Sequence, residues 1–278
     1  MYLSNYHSHC IFCDGRSHPE VFVQHAISKG LKAYGFSSHA PLPFDTFWTM
    51  KHDDVADYFQ EIERLKVKYN QQIELYAGLE IDYLNENYNA RHTYFSNLPT
   101  DFTIGSIHYI QHPQNGELMG IDGSYSLFEE ETKRLYNGNI EHVIRAFFDQ
   151  SKRMVQLGGF DIVGHVDKIY LNASKFSGFN KLQNLIDELM DDLLTAIAQS
   201  RLILEINTKS VESARISYPS RHYFKKINEL QIPITINCDT HYPDNVIQGK
   251  STTAVLLKQY GFIHTMELIG GVWQSYAI

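Results

Sequence analysis

Residues 232–241 read IPITINCDTH, an apolar, β-branched run that ends in an acid and an imidazole two residues apart. Side chains of an extended segment repeat every two residues, so Asp239 and His241 leave such a strand on one face while Cys238 points the other way. Six further runs share this build. Residues 1–9 end at His7 and His9, 32–41 (KAYGFSSHAP) carry His39, and 73–80 (IELYAGLE) end at Glu80. Residues 102–108 (FTIGSIH) end at His108, 160–165 (FDIVGH) at His165, and 201–207 (RLILEIN) offer Glu205 or Asn207.

Helical patterns separate these runs. Residues 19–30 open with Pro19 and stop at Gly30, the usual start and stop residues of a helix. Residues 52–70 place acids in the first turn, basic residues late, and Val55, Tyr58, Phe59, Ile62, Leu65 and Tyr69 along one stripe. Helices are also predicted over 140–157, 181–200 and, opened by Pro219, 219–230. A Tyr- and Asn-rich section after Glu80 has room for a short helix, and 251–278 are expected to add a helix and a short strand. Near-continuous apolar strands alternating with helices predict a parallel sheet covered on its outside. Seven such units, each with its candidate ligand at the C-terminal end of the strand, predict an α/β barrel of the TIM type with a metal site on that rim.

Composition narrows the function classes. No linker, low-complexity run or long repeat divides the 278 residues, so a single domain over 1–278 is expected. No apolar stretch approaches the roughly 20 residues of a membrane span, and the N-terminus lacks the pattern of a signal peptide. Three cysteines are too few for a disulfide framework, which agrees with a reducing, cytoplasmic setting. Cys10 and Cys13 form a C-x-x-C without a second pair, and read as small buried residues near the metals. The formal charge of -8 disfavours a nucleic-acid partner and favours a small-molecule substrate. Nothing in the sequence specifies an oligomeric state.

Nine residues form the candidate ligand set: His7, His9, Asp14, His39, Glu80, His108, His165, Asp239 and His241. Mixed imidazole and carboxylate donors suit zinc, manganese or iron, and nine donors at three or four per ion imply two or three divalent metals. Glu80 has two oxygens and can bridge two ions. His18, His25, His52, His92, His112, His142, His222 and His264 fall in helices, loops or the tail and read as ordinary residues. Asp82 is either a partner that orients a ligand or a strand-end surface residue, and the Tyr-rich loops 83–94 and 109–136 are candidates for a pocket wall.

H-x-H at 7–9, Asp14, His39, GLEIDY around Glu80, GSIHYI around His108, GHVD around His165 and D-x-H at 239–241 resemble the polymerase and histidinol phosphatase (PHP) family. GLEIDY, SIH, EINTK, YPS at 218–220 and IPITINCDTH are most similar to its histidinol-phosphatase branch, over nearly the whole length. The resemblance implies a distorted (β/α)7 barrel and a trinuclear centre that hydrolyses phosphate monoesters. It implies His7, His9, Glu80 and Asp239 at one ion, Glu80, His108 and His165 at a second, and Asp14, His39 and His241 at a third. The implied substrate is L-histidinol phosphate and the implied pathway histidine biosynthesis. Other phosphoesterases of the family, acting on a nucleotide, a sugar phosphate or phosphotyrosine, stay open. A nucleic-acid-processing module and a non-catalytic metal-binding protein are more distant alternatives.

Phosphate recognition calls for cations just after strand ends. Arg16, Lys168, Lys209, Arg215 and Lys250 are the candidates, with Asp122 in MGIDGS as an acid able to meet a substrate amine or imidazole. Dications neutralise phosphate oxygens and lower the pKa of a bridging water, and Asp239 or His241 is the candidate proton donor to the leaving alkoxide.

Overall fold

A computed structural model describes residues 4–278. Among the described residues, eleven strands run in chain order: β1 (Ser4–Asn5), β2 (Ala33–Phe36), β3 (Glu74–Asp82), β4 (Phe102–Ser106), β5 (Tyr109–Gln111), β6 (Leu118–Gly120), β7 (Ile162–Val163), β8 (Ile203–Asn207), β9 (Ile234–Asn237), β10 (His264–Ile269) and β11 (Val272–Ala277). Seven form one parallel sheet in the order β1-β2-β3-β4-β7-β8-β9. Past the ends of β1 and β9, a parallel bridge joins Ser8 to Thr240, with His9 N donating to Thr240 O at 2.8 Å and Thr240 N to His7 O at 3.2 Å. The sheet thus nearly closes, giving the barrel that the alternating pattern predicts, in the distorted (β/α)7 form that the family resemblance implies.

The helices on the outside follow from their apolar stripes. Val55–Tyr69 buries the six residues read from the sequence, and Ile140–Leu157 has the expected bounds and is capped by Asn139, whose side chain accepts from Glu141 N and His142 N. Gln183–Ser200 packs against Ile140–Leu157 through the main core cluster.

Three expectations shift. The helix predicted from Pro219 starts after it, because the Ser220 side chain caps His222 N and the regular helix spans only Phe224–Glu229. The loop over 109–136 contains the β5–β6 hairpin and helix Tyr125–Tyr136. The tail forms helix Lys250–Gln259 and a complete antiparallel hairpin, β10–β11, where one short strand was expected. Leu268 of that hairpin packs with Tyr6, Ala33, Phe102, Ile162 and Ile203, all at or near the starts of barrel strands, so it plugs the N-terminal end. Glu267 accepts there from Ser4 Oγ and from Thr265 Oγ1 at 2.8 Å. With one end plugged, the opposite rim is left for chemistry.

Candidate metal centre

All nine predicted ligands converge on that rim. Glu80 ends at its centre, buried to 1% exposure, and its two oxygens face different groups. Oε2 lies 3.2 Å from His7 Nε2, 3.5 Å from His9 Nε2 and 2.9 Å from His39 Nδ1. Oε1 lies 3.0 Å from His165 Nε2 and 3.7 Å from His108 Nε2, and accepts from Ser106 Oγ at 2.6 Å. Gly164 makes that last bond possible: a Cβ there would fall 2.3 Å from Ser106 Oγ. Asp239 Oδ1 lies 3.3 Å from His9 Nε2 and 3.8 Å from His7 Nε2, and Asp14 Oδ1 lies 3.2 Å from His241 Nε2 and 3.8 Å from His39 Nε2. Asp239 holds this position with a left-handed backbone, φ 47°, which Asp tolerates better than most residues.

Donor atoms at metal-ligating spacing form four overlapping groups: His9, Asp14, His39 and His241; His7, His165 and Asp239; His7, His9 and Glu80; and His39, Glu80 and His108. The first contains the whole set implied for a third ion, with His9 added. His7 Nε2, His9 Nε2, Asp14 Oδ1, His39 Nδ1 and Glu80 Oε2 are buried without a hydrogen-bond partner. Buried polar atoms are seldom left so, and five converging lone-pair donors fit divalent cations.

A second layer orients the ligands. Glu205 Oε1 lies 2.6 Å from His7 Nδ1, and its Oε2 accepts from His165 N at 3.1 Å and Asn207 Nδ2 at 3.0 Å. Asn207 Nδ2 also donates to Asp239 Oδ2 at 3.2 Å. The expectation that Glu205 or Asn207 supplies the ligand on its strand is therefore corrected, since both are engaged one layer beneath. Asp82 resolves to an orienting partner, its Oδ1 accepting from His108 N at 2.8 Å and lying 3.1 Å from His108 Nδ1. Cys13 Sγ lies 3.6 Å from His9 Nδ1, Cys10 is buried against Ser38, and Cys238 faces away, toward Val246 O.

The electrostatics of the metal-free site are mixed: against their burial, Glu205 and Glu80 hold His7, and Asp82 and Glu80 hold His108, above the usual imidazole range, while other ligands stand in metal-competent forms. Burial, reinforced by His39 and His241, pushes His9 well below the usual imidazole range, so it is neutral. Burial lowers His165 and His241 as well. Burial alone would raise Glu80, but His7, His39 and His108 reverse this and hold it ionised. Asp239 is likewise held low against its burial by Lys209 and His7.

Among the predicted substrate contacts, Lys209 Nζ lies 3.0 Å from Asp239 Oδ1 and 3.3 Å from His241 Nδ1. Lys168 Nζ lies 3.8 Å from Asp239 Oδ2 and 3.9 Å from Asp122 Oδ2, which brings Asp122 to the same side. Burial opposes the charge on Lys168, but Asp239 and Asp122 outweigh it and keep the ammonium. Arg16 is exposed at the rim, with its backbone N donating to His241 O at 2.8 Å. Two candidates are corrected. Lys250, the first residue of its helix, is turned behind β9, where its ammonium donates to Ile236 O near Cys238 and Glu267. Arg215 is exposed and lines a separate cavity with Thr253 and Leu256. Trp48 was not anticipated: its ring packs edge-on against His39 at 4.6 Å and stacks on Tyr109 at 6.0 Å. Its position in the loop after β2, on the ligand-bearing rim, was the available signal.

The PHP domain family matches residues 5–209. The chain is 25% identical to the histidinol-phosphatase of Lactococcus lactis, over 96% of this chain and 94% of that one. It is 25% identical to the histidinol-phosphatase of Bacillus subtilis, over 86% and 94% respectively. In fold it is similar to hisK of Listeria monocytogenes (TM-score 0.79, 23% identity, 90% of this chain and 99% of that one). It is similar also to the Lactococcus lactis histidinol phosphate phosphatase complexed with zinc, L-histidinol and phosphate (TM-score 0.76, 22% identity, 98% of each chain). The nine convergent donors thus stand on the fold and within the matched span or its closing strand, and the chain belongs to the PHP domain family.

Proposed function

We propose that this protein is a metal-dependent phosphomonoesterase that converts L-histidinol phosphate and water to L-histidinol and phosphate, a step of histidine biosynthesis. The observation that carries the reading is the five buried ligand atoms on the rim, Glu80 Oε2 among them, that have no hydrogen-bond partner and converge as donors to cations would. Relatives along nearly the whole chain bear the histidinol-phosphatase name. The nine ligands hold two or three ions of zinc, manganese or iron, in the sets the family resemblance implies. Such ions supply charge neutralisation at phosphorus and water acidic enough to attack at neutral pH.

The chain's own groups do the rest. Lys168 and Lys209 flank Asp239 and present two ammonium groups to the phosphate oxygens that face away from the ligands. Asp122, held ionised by His108 and Lys168 against its burial, receives the amine or imidazole of the substrate. Asp239, held ionised, and His241, lowered by burial, carry no proton for the leaving alkoxide, so that proton is assigned to solvent at this end, where Lys209 stands.

The test is phosphate release from L-histidinol phosphate beside 4-nitrophenyl phosphate, a nucleotide and phosphotyrosine, with metal analysis of the same sample and a metal-stripped control. Strong preference for histidinol phosphate with two or three ions per chain is expected. Comparable slow turnover of every ester would keep a metallophosphoesterase and discard the substrate, and turnover unaffected by metal removal would discard the centre.

A further inference from the structure

Outside the metal centre, the loops after β7 and β8 enclose a cavity of about 460 Å³. That volume is in the range of small-molecule sites. Its walls are aromatic, from Tyr170, Phe179, Tyr218 and Tyr223, and exposed Leu171 and Ile216 flank it. One acid lines it. Asp167 is 1% exposed; its Oδ2 accepts from Ser220 N at 2.7 Å, while Oδ1 is buried with no hydrogen-bond partner.

A buried carboxylate oxygen without a donor costs about 1–3 kcal/mol or more, so its persistence calls for a missing partner. None of the described residues supplies one. Lys175, which also lines the cavity, directs its ammonium to Asn172 Oδ1 at 3.1 Å and over the Tyr125 ring. His222 faces Asp187 Oδ1 at 3.3 Å, and the Tyr223 hydroxyl donates to the same oxygen at 3.0 Å. On the other side, the Tyr218 ring and the Lys168 ammonium, 5.3 Å from its centroid, stand between this cavity and Asp239.

We propose that this cavity is a second small-molecule site, distinct from the metal centre, for an organic ammonium with an aromatic body. Asp167 Oδ1 accepts the N–H of the cation, and the four aromatic rings stack on the body and contribute cation–π attraction. The site stands whether or not histidinol phosphate is the substrate of the metal centre.

Benzylammonium is a suitable probe, with benzoate as its charge-reversed control, titrated calorimetrically into the metal-loaded protein in saturating inorganic phosphate. Binding of benzylammonium and not benzoate is expected, weakened at least tenfold by Asp167→Asn, which presents an amide in place of the carboxylate. Ile216→Trp, at an exposed position, should block entry to a similar degree and decides the matter alone if Asp167→Asn fails to fold. Asp122→Asn, on the metal side, should leave the probe's affinity unchanged. Absence of binding, equal binding of benzoate, or affinity that survives Asp167→Asn and Ile216→Trp but falls with Asp122→Asn overturns the proposal.

Discussion

Glu205→Gln keeps the volume of a fully buried side chain and removes one charge from beneath the ligands. Oε1 faces His7 Nδ1 and accepts from Asn237 Nδ2 at 3.2 Å, while Oε2 accepts from His165 N and Asn207 Nδ2. Four donors converge on two oxygens, a demand that a carboxylate meets and an amide does not, since the Gln nitrogen must confront two of them. His7 then loses the charged partner that fixes Nδ1–H and leaves Nε2 for the metal. Loss of such a partner lowers metal affinity by roughly 10–100-fold, or about 1.4–2.7 kcal/mol. The metal-free fold loses only the hydrogen bonding, about 1 kcal/mol per bond, and the His7 attraction that keeps Glu205 ionised against its burial, whereas the metal-loaded protein loses these and the metal affinity as well. Zinc competition against a chromophoric chelator, with melting curves in the presence and absence of metal, separates the two effects. Weaker zinc binding and a lowered metal-loaded melting temperature, with the stripped protein less affected, are expected. Unchanged zinc affinity, or a lost activity that excess zinc does not restore, would refute the orienting role.

Lys209→Met should raise KM for the phosphate ester by roughly tenfold to a hundredfold, the worth of one charge-assisted hydrogen bond, and initial rates over a substrate series read it directly. Lys250→Met should leave kcat/KM unchanged, because that ammonium is committed to Ile236 O behind the sheet; a large loss in the same assay would restore Lys250 to the phosphate site. Glu20 is held down to about 2 by Lys68, Arg64 and Tyr69. Its folded pKa lies below the unfolded one, so its stabilisation is present above the ordinary carboxylate range and is lost as pH falls from there toward about 2. The cluster is exposed and screened, so Glu20→Gln should cost less than about 1 kcal/mol in urea unfolding at pH 7, a difference that vanishes near pH 2.

The ligand rim was legible in sequence because period-two alternation at strand ends is a local property. H-x-H at 7–9 carries its shared face along the extended chain, whereas D-x-H at 239–241 lies beyond the end of β9 and reaches the rim through the left-handed backbone of Asp239. Helix Ile140–Leu157 was legible because a long apolar stripe fixes both face and length. What was missed depends on distant partners. Glu205 looks like a ligand until His7, 198 residues away in sequence, is seen to occupy its oxygen. Lys250 follows a loop that faces the rim, but Gly249 takes a left-handed φ of 69° and the helix begins by turning the lysine inward. The tail hairpin escaped because β11 is largely exposed and lacks a clean alternation, its role being set by Tyr6 and Trp273, whose rings meet at 5.2 Å.

The charges at the rim bear on how many ions the site holds. Asp14, Glu80 and Asp239 are the acidic ligands, Asp82 and Glu205 lie beneath them, and Asp122 stands beside Lys168. Against these six carboxylates the chain sets two ammonium groups, Lys168 and Lys209. With every ligand imidazole neutral, as metal binding requires, four negative charges are left for bound cations to balance, while in the metal-free fold the neighbouring carboxylates hold His7 and His108 above the usual imidazole range and offset part of that charge. Two dications balance it. A third is in excess until a phosphate dianion arrives, and then the same bookkeeping closes with three. Under the proposed function, two dications would match the resting charge and three would match it once a phosphate dianion is bound, so a third ion and the substrate would enter as a charge-balanced pair.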